Sequence, residues 1–190
     1  MDRVRIYIDG SNLYKSAREA TGSGKVRINS MCRYLAAGRP LVQVKYFCVD
    51  PPEPNRSRFN IKAKEGLDKY REAAILYTKQ HAWLNQLAQW KKIEIIRGRL
   101  QRTKKGELKE KGVDVALAVH LIVDAANNDF ETAIVISGDS DFVFPIQTVI
   151  HWGKKVEAAA FQPCYHIAQT CEKFKFTEWN YKTISPFLKK

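Results

Sequence analysis

Hydrophobic residues occur in short continuous runs separated by longer stretches with helical spacing. The runs "VRIYI", "LVQVKYFCV", "IEIIRGRLQ" and "TAIVI" are rich in β-branched and aromatic residues. They predict strands at residues 4–8, 41–49, 93–101 and 132–136, and "KKVEAAAF" predicts a fifth strand. The uninterrupted apolar character of "TAIVI" indicates a strand that is buried on both faces.

Helical patterns lie between these strands. Residues 64–90 have helical spacing, and helices are also predicted for "LYKSARE", "INSMCRYLAAG", "VDVALAVHLIVDAAN", the segment after "TAIVI", and "CYHIAQTCEKF". The proline-rich residues 50–54 predict a loop, because proline is excluded from helix and sheet interiors. The charged "RTKKGELKEKG" predicts a loop or a hairpin.

This alternation predicts an α/β fold in three layers, α/β/α, with a mostly parallel, Rossmann-like sheet of about five strands. A strand order of 3-2-1-4-5 would make strands one and four neighbours at the switch point, where such folds bind ligands. We expect one domain over residues 1–190, with residues 162–190 as a C-terminal extension packed on it.

The charge balance narrows the class of partner. There are 32 Lys and Arg against 20 Asp and Glu, a net charge of +12, and such a field attracts nucleic acid or an anionic membrane surface. No basic amphipathic helix stands out, so nucleic acid is favoured over a membrane. No apolar run approaches the roughly 20 residues of a membrane span, and the first residues are not typical of a signal peptide. These two observations predict a soluble, cytoplasmic protein. The four cysteines form no CxxC pair, so zinc is not expected and reduced, mostly buried thiols are.

Acidic residues stand where the predicted strands meet. Asp9 ends the first strand, Asp139 and Asp141 follow the fourth, and Asp114 lies in the first turn of the helix before the fourth. Clustered carboxylates repel one another unless a cation is present, and Mg²⁺ or Mn²⁺ prefers oxygen ligands. We therefore expect these acids to converge on one metal position, although turn or helix-cap chemistry could explain each acid alone.

Three segments carry a family resemblance. In this order, "IYIDGSNLY", "KGVDVALAVHL" and "VISGDSDF" resemble the NYN domain of the PIN-like nuclease superfamily, in its LabA-like branch, over residues 4–161. The resemblance implies a PIN-like fold and a ribonuclease that depends on Mg²⁺ or Mn²⁺. It implies that the metal-binding and catalytic acids are Asp9, Asp114, Asp139 and Asp141, that Asn12 and Ser137 support them, and that Lys111 contacts phosphate. This chain departs from the family at His120, where an acid is frequent, which puts any peripheral acid in doubt.

A basic strip provides a candidate RNA-binding surface. Its members lie in the proline-rich loop and beyond the third strand: Arg56, Arg58, Arg97, Arg99, Arg102, Lys104 and Lys105. A solvated charged face is the alternative interpretation. Tyr14 and Tyr46 are candidates to stack on bases.

Two other functions stay open. "GDSD" resembles the late acidic motif of haloacid-dehalogenase-type phosphatases, but those enzymes need a DxD after the first strand, and this chain has Ser11 at the third position. A non-catalytic RNA-binding module of the same fold would use the basic strip without the acids. The oligomeric state is left open between monomer and homodimer.

Overall fold

Six parallel strands form one sheet in a computed structural model that describes residues 1–22, 24–104, 107–160, 165–171, 175–178 and 185–187. The order across the sheet is β3-β2-β1-β6-β7-β8, and β4 and β5 form a separate antiparallel hairpin. The strands, in chain order, are β1 Val4–Asp9, β2 Leu41–Cys48, β3 Ile93–Arg97, β4 Arg99–Arg102, β5 Leu108–Lys111, β6 Thr132–Ile136, β7 Lys155–Ala160 and β8 Lys175–Glu178.

Helices cover both faces of this sheet. They are α1 Gly10–Thr21, α2 Ile28–Ala36, α3 Lys64–Ala88, α4 Val113–Ala126, α5 Val143–His151 and α6 Tyr165–Thr170. Short 3₁₀ turns lie at Arg56–Arg58, Ser140–Phe142 and Ser185–Phe187. One core packs α1, α2 and α3 against one face, and a second core packs α4, α5 and α6 against the other. The predicted three-layer α/β/α fold is confirmed.

Alternation along β1 shows how one strand serves both cores. Ile6 and Ile8 lie in the core under α1, and Tyr7 lies in the core under α4, because successive side chains of a strand point to opposite faces. The predicted neighbours are also correct: β1 pairs in parallel with β6, with Ile8 opposite Ile136. The switch point therefore lies at the carboxyl ends of β1 and β6.

The third predicted strand is wrong in its extent. The chain leaves the sheet at Gly98, so residues 93–101 are divided between β3 and β4. Gly98 donates its N–H to the Cys48 carbonyl at 2.8 Å, and a Cβ on it would lie 2.6 Å from Cγ2 of Val113. The glycine thus marks a close approach to the start of α4, and the charged segment after it forms the β4–β5 hairpin.

The sixth strand was not predicted. β8 pairs in parallel with β7, with Phe176 opposite Ala158. It lies within the segment 162–190 for which we expected a packed extension. The extent of the domain remains a prediction, since much of that segment lies outside the described residues.

A buried polar network joins α4 to the sheet. The Asp124 carboxylate accepts from the Tyr7 hydroxyl at 2.8 Å and from Lys45 Nζ at 2.9 Å, and it forms an ion pair with Arg5 at 2.8 Å. Lys45 Nζ also lies 3.0 Å from Nδ1 of His120. Buried charges are stable only when they are paired, so these contacts hold α4 in one position over β1 and β2.

Three of the four cysteines lie in the described residues, and their thiols are free and buried. Burial raises the pKa of Cys48 to about 11 and that of Cys171 to about 12, and it also raises the pKa of Cys32. Such thiols are unreactive packing groups. Cys164 lies outside the described residues. In the part of the chain that the structure describes, no helix combines the length and apolar character needed to cross a membrane.

Candidate functional site

Asp9 ends β1 and caps α1. Its Oδ1 accepts the N–H of Asn12 at 3.0 Å, which satisfies a free donor of the first helical turn. Its Oδ2 accepts the hydroxyl of Ser137 at 3.0 Å. Only 4% of Asp9 is exposed, so this carboxylate is a buried group held by two directed hydrogen bonds.

Gly10 allows α1 to start directly against β2. A Cβ at this position would lie 2.6 Å from the Tyr46 ring and 2.7 Å from the Phe47 carbonyl oxygen. Real Cβ atoms do not approach that closely, so only glycine fits here without a shift of the helix. The requirement fixes where α1 begins and therefore where Asp9 and Asn12 point.

Hydrogen bonds tie the loop after β6 to the start of α1. Ser137 is buried, and its Oγ also accepts the N–H of Asp139 at 3.1 Å. Asn12 does not cap α1, because Asp9 takes that role. Instead its Oδ1 accepts the N–H of Gly138 at 3.1 Å. Asn12 and Ser137 thus connect the carboxyl ends of β1 and β6.

Asp139 and Asp141 have different roles in this loop. Asp139 is the cap of the 3₁₀ turn, since its Oδ1 accepts the N–H of Asp141 at 3.0 Å. Asp141 lies in that turn, and its side chain is exposed. The structure therefore assigns the capping to Asp139, whereas the sequence left cap chemistry open for each acid.

The β4–β5 hairpin leads directly into Asp114. β5 ends at Lys111, Gly112 turns the chain with φ +82°, and α4 then begins at Val113. Asp114 lies in the first turn of α4, as predicted. Glu110, one residue before the end of β5, accepts the Ser11 hydroxyl at 2.6 Å and so brings the hairpin to the start of α1.

Glu110 is a fifth acid that sequence reasoning missed. Its charge raises the pKa of Asp114, together with the charges of Asp139 and Asp141, although desolvation by burial is the larger cause. The signal in the sequence was its place four residues before Asp114. The charge density around it predicts only a loop or a hairpin.

The acids influence one another electrostatically. Burial raises the pKa of Asp9 to about 6, the hydrogen bonds from Asn12 and Ser137 oppose that rise, and the charges of Asp114 and Asp139 add to it. Asp9, Asp114 and Asp139 come from three separate chain segments. They are nevertheless close enough for each charge to act on Asp9.

The expected convergence on one metal position is not met in full. Among the described residues, no three His, Cys, Asp or Glu side chains lie together closely enough to hold a metal ion by themselves. Like charges hold carboxylates apart. Mg²⁺ is usually held by one or two carboxylates and retains several waters, so the donor set of Asp9 and Asp139 fits its chemistry.

The predicted basic residues lie in two places. Arg56 and Arg58 are in the 3₁₀ turn of the proline-rich loop, and the guanidinium of Arg56 lies 5.5 Å from the centre of the Tyr70 ring. Arg97 ends β3, and its Nε donates to Asp50 at 2.8 Å, which reduces the charge it offers to RNA.

The hairpin supplies the remaining basic residues, all exposed: Arg99, Arg102, Lys104 and Lys111. Lys105 lies outside the described residues. Of the aromatic candidates, Tyr14 is exposed, whereas Tyr46 is buried against Trp83. The expectation that Tyr46 stacks on bases is therefore wrong.

Replacing Asp9 by Asn should stabilise the protein at neutral pH when chelator is present. The folded pKa of about 6 lies above the ordinary value of 3.8. The folded state therefore holds the Asp9 proton more tightly than the unfolded state. The stabilisation of the fold that this proton provides is complete below about pH 4 and is lost as the pH rises through about 6. One pKa unit corresponds to about 1.4 kcal/mol, so the variant should gain up to about 3 kcal/mol over the wild type above pH 7 and almost nothing at pH 4.

Urea denaturation at a series of pH values measures this difference. The difference in the free energy of unfolding between wild type and variant isolates the contribution of Asp9. Acids whose pKa is shifted the other way contribute equally to both proteins; one is Glu131, whose pKa is lowered to about 2 by hydrogen bonds from Arg3. A pH-independent difference between the two proteins would contradict the expectation.

The fold and the acidic edge of the sheet define a PIN-like α/β/α domain. The family model of the NYN domain matches residues 3–178, and the chain belongs to that family. A crystal structure of a protein of unknown function from Vibrio parahaemolyticus is similar at 20% identity with a TM-score of 0.68, over 99% of this chain and 96% of that chain. At that identity the likeness shows the fold. No protein of curated function matches the chain.

Proposed function

We propose that this NYN domain belongs to the LabA-like branch, which its three motifs resemble, and that it is a metal-dependent ribonuclease that hydrolyses RNA phosphodiester bonds. The observation that carries the proposal is that the Ser137 hydroxyl joins Asp9 to the loop of Asp139 at the carboxyl ends of β1 and β6, with Asp114 close enough for its charge to act on Asp9. A raised pKa caused by burial and by neighbouring like charges is typical of functional sites. Family membership supports a nuclease-type hydrolase.

Asp9 and Asp139 would hold Mg²⁺ or Mn²⁺ from the two strand ends, with Asp114 and Asp141 reaching it directly or through water. A bound ion of this kind lowers the pKa of a water ligand and stabilises the leaving oxygen of a phosphodiester.

Supporting residues would fix the acids. Ser137 donates to Asp9 and accepts from the N–H of Asp139, so one hydroxyl sets the separation of two acids. Asn12 holds the loop at Gly138 and prevents it from moving away from α1. Neither side chain carries charge, so both can orient the carboxylates without neutralising them.

The basic residues would bind the RNA backbone. Arg99, Arg102, Lys104 and Lys111 lie on the hairpin that leads into Asp114, so phosphates held there would approach the acids. In this proposal the acidic edge holds the cation and the basic hairpin holds the polyanion. The free, buried thiols are in keeping with a cytoplasmic enzyme.

Cleavage of labelled single-stranded and structured RNA tests this function. Purified protein should cut RNA with Mg²⁺ or Mn²⁺ and should not cut it with EDTA, and circular RNA would separate endonucleolytic from exonucleolytic action. Asp9→Asn protein purified in parallel controls for contaminating nucleases. Mg²⁺ should raise the melting temperature of the wild type and leave that of Asp9→Asn nearly unchanged, because that variant lacks a charged ligand. Failure of every RNA to be cut with either metal would overturn the proposal.

A non-catalytic RNA-binding module is the second candidate. The absence of a three-acid group in the described residues favours it. Such a module would bind RNA in a salt-sensitive way. Its binding would be the same with and without EDTA, and Asp9→Ala would not alter it. Metal-dependent cleavage would exclude it.

A further inference from the structure

A cavity of about 650 Å³ lies between the proline-rich loop and the β4–β5 hairpin. Pro52 and Pro54 line it from the loop, and Leu100 and Leu108 line it from the hairpin. Its size is within the range of roughly 300–1,000 Å³ that is typical of small-ligand sites. From this cavity we infer a subsite for an unpaired RNA base, which would make single-stranded RNA the substrate; the inference rests on the proposed ribonuclease function.

The lining of the cavity is largely polar, with apolar contacts from its two leucines and two prolines and a cationic rim. Leu108 is 40% exposed, and it presents its side chain to the cavity. Arg56 and Arg58 stand at the rim, and among the described residues neither has a carboxylate within ion-pair distance. Leucine and proline contacts beside two guanidinium groups, of which that of Arg56 also lies over the Tyr70 ring, match a nucleotide, which has a flat apolar ring face next to an anionic phosphate.

Hydrogen bonds and prolines within the loop fix its side of the cavity. Asn55 Oδ1 accepts both the N–H of Ser57 at 3.0 Å and its hydroxyl at 2.8 Å, which fixes the turn that carries Arg56 and Arg58. Proline at 52 and 54 restricts the backbone before this turn. A wall that is ordered in advance loses little conformational freedom when a ligand binds. The side-chain amide of Asn55 and the carboxylate of Glu53 remain able to contact the edge of a base.

The cavity shares one edge of the sheet with the acids. The loop follows β2 and the hairpin follows β3, whereas Asp9 ends β1 and Asp139 follows β6. Since the order is β3-β2-β1-β6 and strands lie about 4.8 Å apart, the strand ends from which the two places extend are about 10 Å apart along this edge. A chain of nucleotides can cross that distance, with the base in the cavity upstream or downstream of the reacting phosphate.

Base pairing would exclude this contact. In a double helix the bases are stacked inside, and no side chain can enclose one without unstacking it. A base subsite therefore selects unpaired RNA. A surface that recognises only phosphates would not make that distinction.

Equilibrium binding in EDTA tests the subsite apart from cleavage. The probes are a fluorescent oligouridylate, the same oligouridylate paired in a duplex with oligoadenylate, and an abasic ribose-phosphate oligomer of equal length and charge. The wild type should bind the oligouridylate about tenfold or more tightly than the abasic oligomer, because base contacts add to phosphate contacts. It should also bind the single strand more tightly than the duplex.

Two variants separate the walls from the rim. Leu108→Ala should weaken binding of the oligouridylate about fivefold and leave the abasic oligomer unchanged, with Leu76→Ala, an exposed leucine on α3, as its matched control. Arg58→Ala should weaken both probes alike and reduce the slope of log K against log salt by about 0.7, with Arg33→Ala on α2 as its control.

Equal affinity for the base-containing and abasic oligomers would overturn the subsite, as would equal affinity for single strand and duplex. So would a loss with Leu76→Ala as large as that with Leu108→Ala. Cleavage without base preference would overturn the subsite and leave the ribonuclease in place. Base preference without cleavage would support the subsite and overturn the ribonuclease.

Discussion

Replacing Asp139 by Asn should lower the rate of metal-dependent RNA cleavage on the order of 100-fold or more. The amide oxygen can still accept the N–H of Asp141, so the cap of the 3₁₀ turn is kept, and only the charge is removed. Loss of an outer-shell partner of a metal site costs about 10-fold to 100-fold, and loss of a charged ligand should cost at least as much. Initial rates at saturating Mg²⁺ measure the effect.

Asp141→Asn is the matched control for this experiment. It makes the same chemical change two residues away, on an exposed side chain that caps nothing in the described residues. We expect it to lower the rate about tenfold, the lower end of the cost of an outer-shell partner, because its side chain is exposed and, in the part of the chain that the structure describes, caps no turn. Unchanged melting temperatures for both variants would exclude misfolding as a cause. Full activity of Asp139→Asn would falsify its role as a metal ligand.

Replacing Asp124 by Ala should lower the free energy of unfolding by about 3–5 kcal/mol. Asp124 accepts from or pairs with Arg5, Tyr7 and Lys45, and its removal leaves two buried cations near one another. Removal of one partner from a buried ion pair has a cost of that size, because the remaining charge is left without compensation. Urea denaturation at pH 7 measures the change.

Asp129→Ala provides the comparison. Asp129 also pairs with Arg5, at 2.9 Å, but its side chain is 37% exposed, so water can replace it. We expect a loss of less than about 1 kcal/mol. If both variants lost the same amount, the burial of Asp124 would not be the cause. Asp114 lies on the same helix as Asp124, and removal of Asp124 should loosen that helix. The Asp124→Ala protein should therefore bind the metal more weakly than the wild type even at temperatures where it stays folded.

The sequence predicted the layers and the strand order because both depend on local patterns. Continuous apolar runs identify strands buried on two faces, and their alternation with helices leaves few topologies. The same patterns brought Asp9 and Asp139 to neighbouring strand ends. Both acids lie in turn sequences at the ends of predicted strands. Their positions in the fold therefore follow directly from the strand assignments.

The errors share a physical origin in contacts between distant segments. The break at Gly98 depends on its approach to Val113, fifteen positions along the chain, which no local pattern encodes. Burial of Tyr46 depends on the packing of α1 and α3 against β2. The network of Asp124 does leave a signal in the sequence, since charges of opposite sign occur inside two apolar strands and one apolar helix. The sixth strand also left one, because "KFKFTE" alternates with a period of two.

Gly10 shows why a mutational scan of this region needs care. The residue has no functional group, yet any side chain on it would push the start of α1 away from Tyr46 and Phe47. Asp9 and Asn12, on either side of it, would be displaced together. Substitutions at Gly10 would then abolish activity as completely as substitutions of the acids, and a map of sensitive positions would mark it as catalytic. Separate measurements of folding stability and of the cleavage rate would show that Gly10 allows α1 to pack closely against Tyr46 and Phe47 and takes no part in the reaction.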